Sequence, residues 1–136
     1  MAYSNVMDYV TIGTAGNATD FGNLTATSDK NPTACSIVRG LIFGGRNRTA
    51  VIDYITIAST GNAADFGDHV NGSNFEEGYA VHNKLYAYFG RRDVGQKEKH
   101  TIATAANATA FNFTSKNGFG QADAHATIKG WIAASG

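Results

Sequence analysis

Apolar residues in this chain fall in short runs that glycine and asparagine interrupt. "AVIDYITIAS" is rich in β-branched and aromatic residues, which suit a pleated strand. "TGNAAD" follows, where Gly61 and Asn62 are expected to supply the positive φ of a tight turn. The same turn recurs as "AGNATD" and, without glycine, as "AANATA". A short stretch around Phe66 resumes and ends at Gly67. A second apolar run, "ACSIVRGLIFGG", closes on a glycine pair, and its counterparts are "YAVHNKLYAYFG" and "HATIKGWIAASG". No helical apolar period persists over three turns, so the expected class is all-β.

These elements recur every 45 residues. "MDYVTIGTAGNATDFGN", "IDYITIASTGNAADFGD" and the looser "EKHTIATAANATAFNF" align without gaps. Thr11, Thr56 and Thr101 fall in register, as do Ile12, Ile57 and Ile102. So do Asn17, Asn62 and Asn107, and Phe21, Phe66 and Phe111. Residues 1–136 therefore read as one all-β repeat domain of three units, approximately 1–45, 46–90 and 91–136. Each unit has room for three or four short strands. Phe21, Phe66 and Phe111 are expected in the core, and Asn17, Asn62 and Asn107 are expected to shape the hairpin. Two architectures use three such units, the β-propeller blade and the β-trefoil.

Charge narrows the partners. Eleven basic and eleven acidic residues balance, and neither sign forms a long run, so no nucleic-acid footprint is visible. "FGRRDVGQKEKH" is the densest basic stretch; interleaved acids make it read as a solvated loop. The single cysteine, Cys35, has no internal partner and is expected as a small core residue. No apolar stretch reaches the length of a membrane span, and no standard signal peptide is visible. The expectation is a soluble chain made in a cytoplasm, with no membrane partner.

Catalytic and metal patterns are sparse. His69, His82, His100 and His125 stand in different settings without zinc-ligand spacing. His100 replaces Ile55 in the aligned strand and is expected on an exposed face. No nucleophile elbow or phosphate-cradling glycine motif is present. Asp20 and Asp65, with Asn17 and Asn62, offer oxygen ligands of the kind calcium takes, but Ala110 removes the carboxylate from the third unit. A side-chain cap of the turn explains the pairing better. "NAT", "NRT" and "NGS" match glycosylation acceptors that have no meaning without a secretory route. The reading is of no enzyme, no metal and no cofactor. As a sugar-binding surface, Tyr86, Tyr88 and Trp131 would stack on rings while Asn71, Asn74 and Asp93 would bond hydroxyls.

The order of features resembles the kelch repeat, in which a double glycine precedes a tyrosine-bearing strand and then an aromatic one. Here those features are Gly44-Gly45, Tyr54 and Phe66, so "GLIFGG", "VIDYITIA" and "ADFGD" are expected as successive strands of a blade. "DYITIASTGNAADFGD" is also similar to repeats in arrays encoded by phages of aquatic bacteria, especially cyanobacterial phages. The likeness covers most of the first two units and is loose in the third, where Ala110 and Asn112 replace aspartate and glycine. The resemblance implies a virion-associated structural, decoration or tail-fibre protein, located in the particle after synthesis in the host cytoplasm. Its partners would be other virion proteins.

Three blades do not close a ring, which needs four to eight. The chain also starts within one strand pattern and stops after the strand that should precede it. The expected outcome is a homo-oligomer, with a dimer favoured. A self-closed trefoil-like monomer is the rival fold, and a carbohydrate-binding adhesin or lectin module for host-surface glycan is the rival function.

Overall fold

The computed structural model describes residues 3–46, 50–70, 78–91 and 97–111. They form ten strands and no helix: β1 (Ser4–Tyr9), β2 (Thr19–Ser28), β3 (Thr33–Cys35), β4 (Arg39–Phe43), β5 (Val51–Thr56), β6 (Ala64–Asp68), β7 (Gly78–His82), β8 (Tyr86–Arg91), β9 (Lys97–Thr101) and β10 (Thr109–Ala110). Accordingly, no helix among the described residues is long and apolar enough to cross a membrane. The protein is all-β.

β3-β4-β5-β6 and β7-β8-β9-β10 are two four-stranded antiparallel meanders, and β1-β2 is a two-stranded ribbon. The 45-residue offset carries one meander onto the other and β1-β2 onto the β5-β6 pair. The expected succession of "GLIFGG", "VIDYITIA" and "ADFGD" is thus the order of β4, β5 and β6. "KEKH" is not loop: Lys97–Thr101 is the strand β9, with Glu98 and His100 buried on one face. Alternating side chains decide this, because Lys97 and Lys99, which alternate with them, point the other way.

The core lies between the two meanders. Ala34, Leu41, Phe43, Ile52 and Phe66 of the first face Ala80, Ala87, Phe89 and Ile102 of the second. The Phe43 and Phe89 rings stack with centroids 5.1 Å apart. Arg39 reaches across, its Nη1 donating to the carbonyl of Ile102 at 2.9 Å, and β3 runs beside β7. Phe66 belongs to this core, whereas Phe21 and Phe111 are half-buried, against Tyr9 and Tyr88 respectively. Cys35 is exposed, contrary to its expected core position. Ala34 takes the inward side of β3, which leaves Thr33 and Cys35 facing out.

Each letter of the repeated "DFG" has a job. Asp65 Oδ1 accepts the Gly67 N–H at 2.9 Å, the local cap expected of it; Asp20, its counterpart, is exposed. The register of β5 with β6 slips between Ile52 and Asp53, so Phe66 bulges out of the ladder. The β1-β2 register slips at the equivalent place, Met7/Asp8, and bulges Phe21. Gly67, at φ 139°, lies under the turn of the next unit: a Cβ there would meet the Ala106 carbonyl oxygen at 2.5 Å. Gly22, at φ 145°, lies against the Gly61 carbonyl in the same way.

This close approach predicts a sharp contrast between glycines. Gly67→Ala, which meets both a strained φ and a backbone clash, is expected to cost about 2 kcal/mol or more of unfolding free energy. Gly16→Ala, with open space at its Cβ, should stay within about 0.5 kcal/mol. Urea denaturation checks this, and equal effects would refute the packing described.

Candidate functional site

The seams between units are the chemically richest places in the molecule. A turn of one unit docks on the outer strand of the unit before it. Gly61 N–H donates to the Phe21 carbonyl at 2.7 Å and Ala63 N–H to the Asn23 carbonyl at 2.8 Å. Asn62 Oδ1 accepts the Asn23 N–H at 3.0 Å. One repeat later, Ala108 N–H donates to the Asp68 carbonyl at 2.7 Å and Asn107 Oδ1 accepts the Asp68 N–H at 3.1 Å. The asparagines were expected to shape their own hairpins. Asn62 and Asn107 instead bind the neighbouring unit, and Asn62 takes no left-handed φ; Lys30 is the non-glycine residue that does so among the described residues. Asn17, at the same register in the first unit, is exposed.

A carboxylate locks each seam from the other side. Asp53 is fully buried; it accepts the Thr25 N–H at 3.0 Å and the Thr25 hydroxyl at 2.7 Å. Glu98, 45 residues on, accepts the Val70 N–H at 2.9 Å. Both bonds span 28 residues. Buried carboxylates persist only with such charge-assisted donors.

The second seam departs from the first in its side chains. Where the first has Leu24, Thr25 and Ile55, the second has His69, Val70 and His100. His69, just after β6, places Nδ1 2.7 Å from Glu98 Oε2. His100, two residues beyond Glu98 on β9, places Nε2 3.6 Å from the same oxygen. All three side chains have no exposed surface. Phe43, Phe66 and Phe89 surround the imidazoles, with ring centroids 4.5 to 6.2 Å away. His100 is therefore in the core, not on the exposed face expected of it. The seam turns this face of β9 toward the first meander, as the equivalent face of β5 is turned toward β2. Neither ring nitrogen of His100 has a hydrogen-bond partner.

Burial opposes the charge on both partners. It pushes the His69 imidazole below its usual 6.5 against the pull of Glu98. Burial also works against the Glu98 carboxylate, but His100, His69 and the Val70 N–H outweigh it and hold that group at about 2, against an ordinary 4.5. Together the three donor atoms form a His-Glu-His set lying within 4.8 Å of one another. Sequence spacing concealed it, because His69 is far from Glu98 along the chain.

The proposed sugar contacts do not assemble into a described site. Tyr86 and Tyr88 lie on one face of β8, half-buried, with the Lys99 ammonium 3.9 Å from the Tyr86 ring centre and Phe111 beside Tyr88 at 5.0 Å. They occupy the register of Leu41 and Phe43, which are core residues of the seam. Asn71, Asn74, Asp93, Trp131 and His125 lie outside the described residues; His82 is half-buried at the end of β7.

Neither a family model, nor a curated protein, nor a solved structure matches the chain.

The buried pair predicts acid sensitivity. Both groups have folded values below their unfolded ones, so the stability they contribute is present above the unfolded values and lost as pH falls. Unfolded His69 takes up its proton near 6.5 and unfolded Glu98 near 4.5. Thermal midpoints are expected to be level above about pH 7, to fall below 6.5 and to fall further between 4.5 and 2. In Glu98→Gln the second decline should shrink. A flat profile across this window in the native chain would contradict the arrangement.

Proposed function

We propose that this chain is a non-enzymatic structural module of a phage particle, a decoration or tail-fibre-type component. In this reading its kelch-like blades join end to end with those of a second copy. One observation carries it: both seams share an asparagine lock, a main-chain bond and a carboxylate lock, and among the described residues β1-β2 and the second meander each present one half of such a seam. On β1 and the turn after it, Val6, Asp8, Val10 and Ile12 stand at the registers of Val51, Asp53, Ile55 and Ile57. Val6 and Val10 are each 57% exposed, Ile12 is 100% exposed and Asp8 is exposed too. At the far side, Tyr86, Tyr88 and Phe111 stand at the registers of Leu41, Phe43 and Phe66. An apolar stripe beside an unlocked carboxylate is the face a further unit of the same kind would cover.

Two four-stranded antiparallel meanders, the first with Gly44-Gly45 directly after its second strand, favour blades over a trefoil, whose strands close a barrel. The placement of Tyr86 and Tyr88 at core registers favours unit-to-unit packing over sugar stacking. Sequence likeness to repeat arrays of aquatic phages supports the virion. Six units from two chains fall in the size range of closed propellers.

Light scattering on the purified chain, paired with protein quantification in purified particles, tests the proposal. A dimer is expected, converted to monomer by Val10→Glu with Ile12→Glu while the β-rich circular dichroism is kept, together with many copies of the chain per particle. A native monomer would end the shared-ring reading, and absence from purified particles would end the virion one.

A further inference from the structure

The two seams form an internal control. They share a backbone, a buried carboxylate and a main-chain N–H that binds it, yet two apolar positions of the first are histidines in the second. Thr25, whose hydroxyl bonds Asp53, becomes Val70, so His69 supplies the second contact to Glu98. That substitution balances by itself and explains one imidazole. It leaves His100 without a structural reason. Ile55 shows that this register accepts an aliphatic side chain, whereas a buried imidazole with no hydrogen bond to either nitrogen, and only a 3.6 Å approach to Glu98, carries a desolvation cost. The carboxylate is also longer by one methylene in the second seam, which carries it toward both rings.

We propose that His69, Glu98 and His100 bind a divalent transition-metal ion of the zinc class, joining the two four-stranded meanders. The donor chemistry fits: two imidazole nitrogens and one carboxylate oxygen are a recurring three-residue zinc set, with a water in the fourth place. Bond lengths of about 2.0–2.2 Å put tetrahedral donors about 3.4 Å from one another. The three donor atoms lie within 4.8 Å of one another, and the Nδ1–Oε2 and Nε2–Oε2 separations are 2.7 and 3.6 Å. Side-chain rotations that open the short His69–Glu98 contact would bring the three donors to the tetrahedral separations. The ion would replace the direct His69–Glu98 contact and give His100 Nε2 a direct bond in place of its long approach to Glu98. Glu98 and His100 come from β9 and His69 from the end of β6, so binding ties one unit to the next. Enclosure by Phe43, Phe66 and Phe89 makes loading part of folding.

The test uses the full chain refolded with chelator, with zinc, or with cobalt, followed by desalting. Expected results are one ion retained per chain, intense visible absorption of tetrahedral cobalt, and a melting temperature several degrees above the chelated form. His100→Ile, and His69→Leu combined with Val70→Thr, install the residues of the first seam and keep a second donor for the carboxylate, so both should fold without metal and melt no lower than the chelated native chain. Both should lose the retained ion, the cobalt bands and the metal-dependent shift. Absence of a retained ion and of a shift in the native chain would overturn the proposal. Retention unchanged in His100→Ile would overturn it equally, by placing the ion elsewhere.

Discussion

A carboxylate enclosed between two β-sheets has to be given hydrogen-bond donors, and here the donors belong to the preceding unit. Asp53 takes the amide and hydroxyl of Thr25, and Glu98 takes the amide of Val70. The remaining seam contacts follow from that requirement. With the carboxylate fixed on the third strand of a meander, the turn that follows is delivered onto the previous unit's outer strand, where Asn62 or Asn107 completes a second lock. The glycine under that turn removes the Cβ that would hold the backbones apart. Losing one partner of such a buried bond costs more than the bond itself contributes, because the other partner stays desolvated. Register between units is therefore specified twice, once from each side.

The seams show how a repeat diversifies without changing shape. The asparagine, carboxylate and one main-chain contact recur at both junctions, while the side chains packed among them differ. Leucine and isoleucine at one become histidines at the other. Polar contacts to main chain fix the geometry, and this leaves the apolar positions between them open to chemical change. The inter-sheet core of Leu41, Phe43, Ile52, Phe66, Phe89 and Ile102 supplies burial that either kind of seam shares.

Much of this was legible in the sequence, for a physical reason. Strand and turn signals are local, and the 45-residue period multiplies them. The all-β class, the succession of β4, β5 and β6, the core position of Phe66 and the cap made by Asp65 were all readable. What was not readable depends on facing. Cys35 and Ala34 are equally plausible core residues until the pleat selects one. "KEKH" looks solvated when read as composition and becomes half core when read with a period of two. Asn62 looks like a turn former because its usual partners are a few residues away, whereas its actual partner is 39 residues away. His69, Glu98 and His100 meet only because two meanders face each other. Aligning the units sets His100 and Glu98 at the registers of Ile55 and Asp53, but that register alone does not tell which face of the strand is buried.

Native-state hydrogen exchange of the Thr25 and Val70 amides, followed by NMR, tests the central claim that buried carboxylates lock each unit to the one before. Both amides lie beyond or near the edges of their sheets, so strand pairing alone gives them little protection. The account predicts that they exchange as slowly as core amides of β4 and β8. Exchange at the rate of exposed turn amides would contradict it.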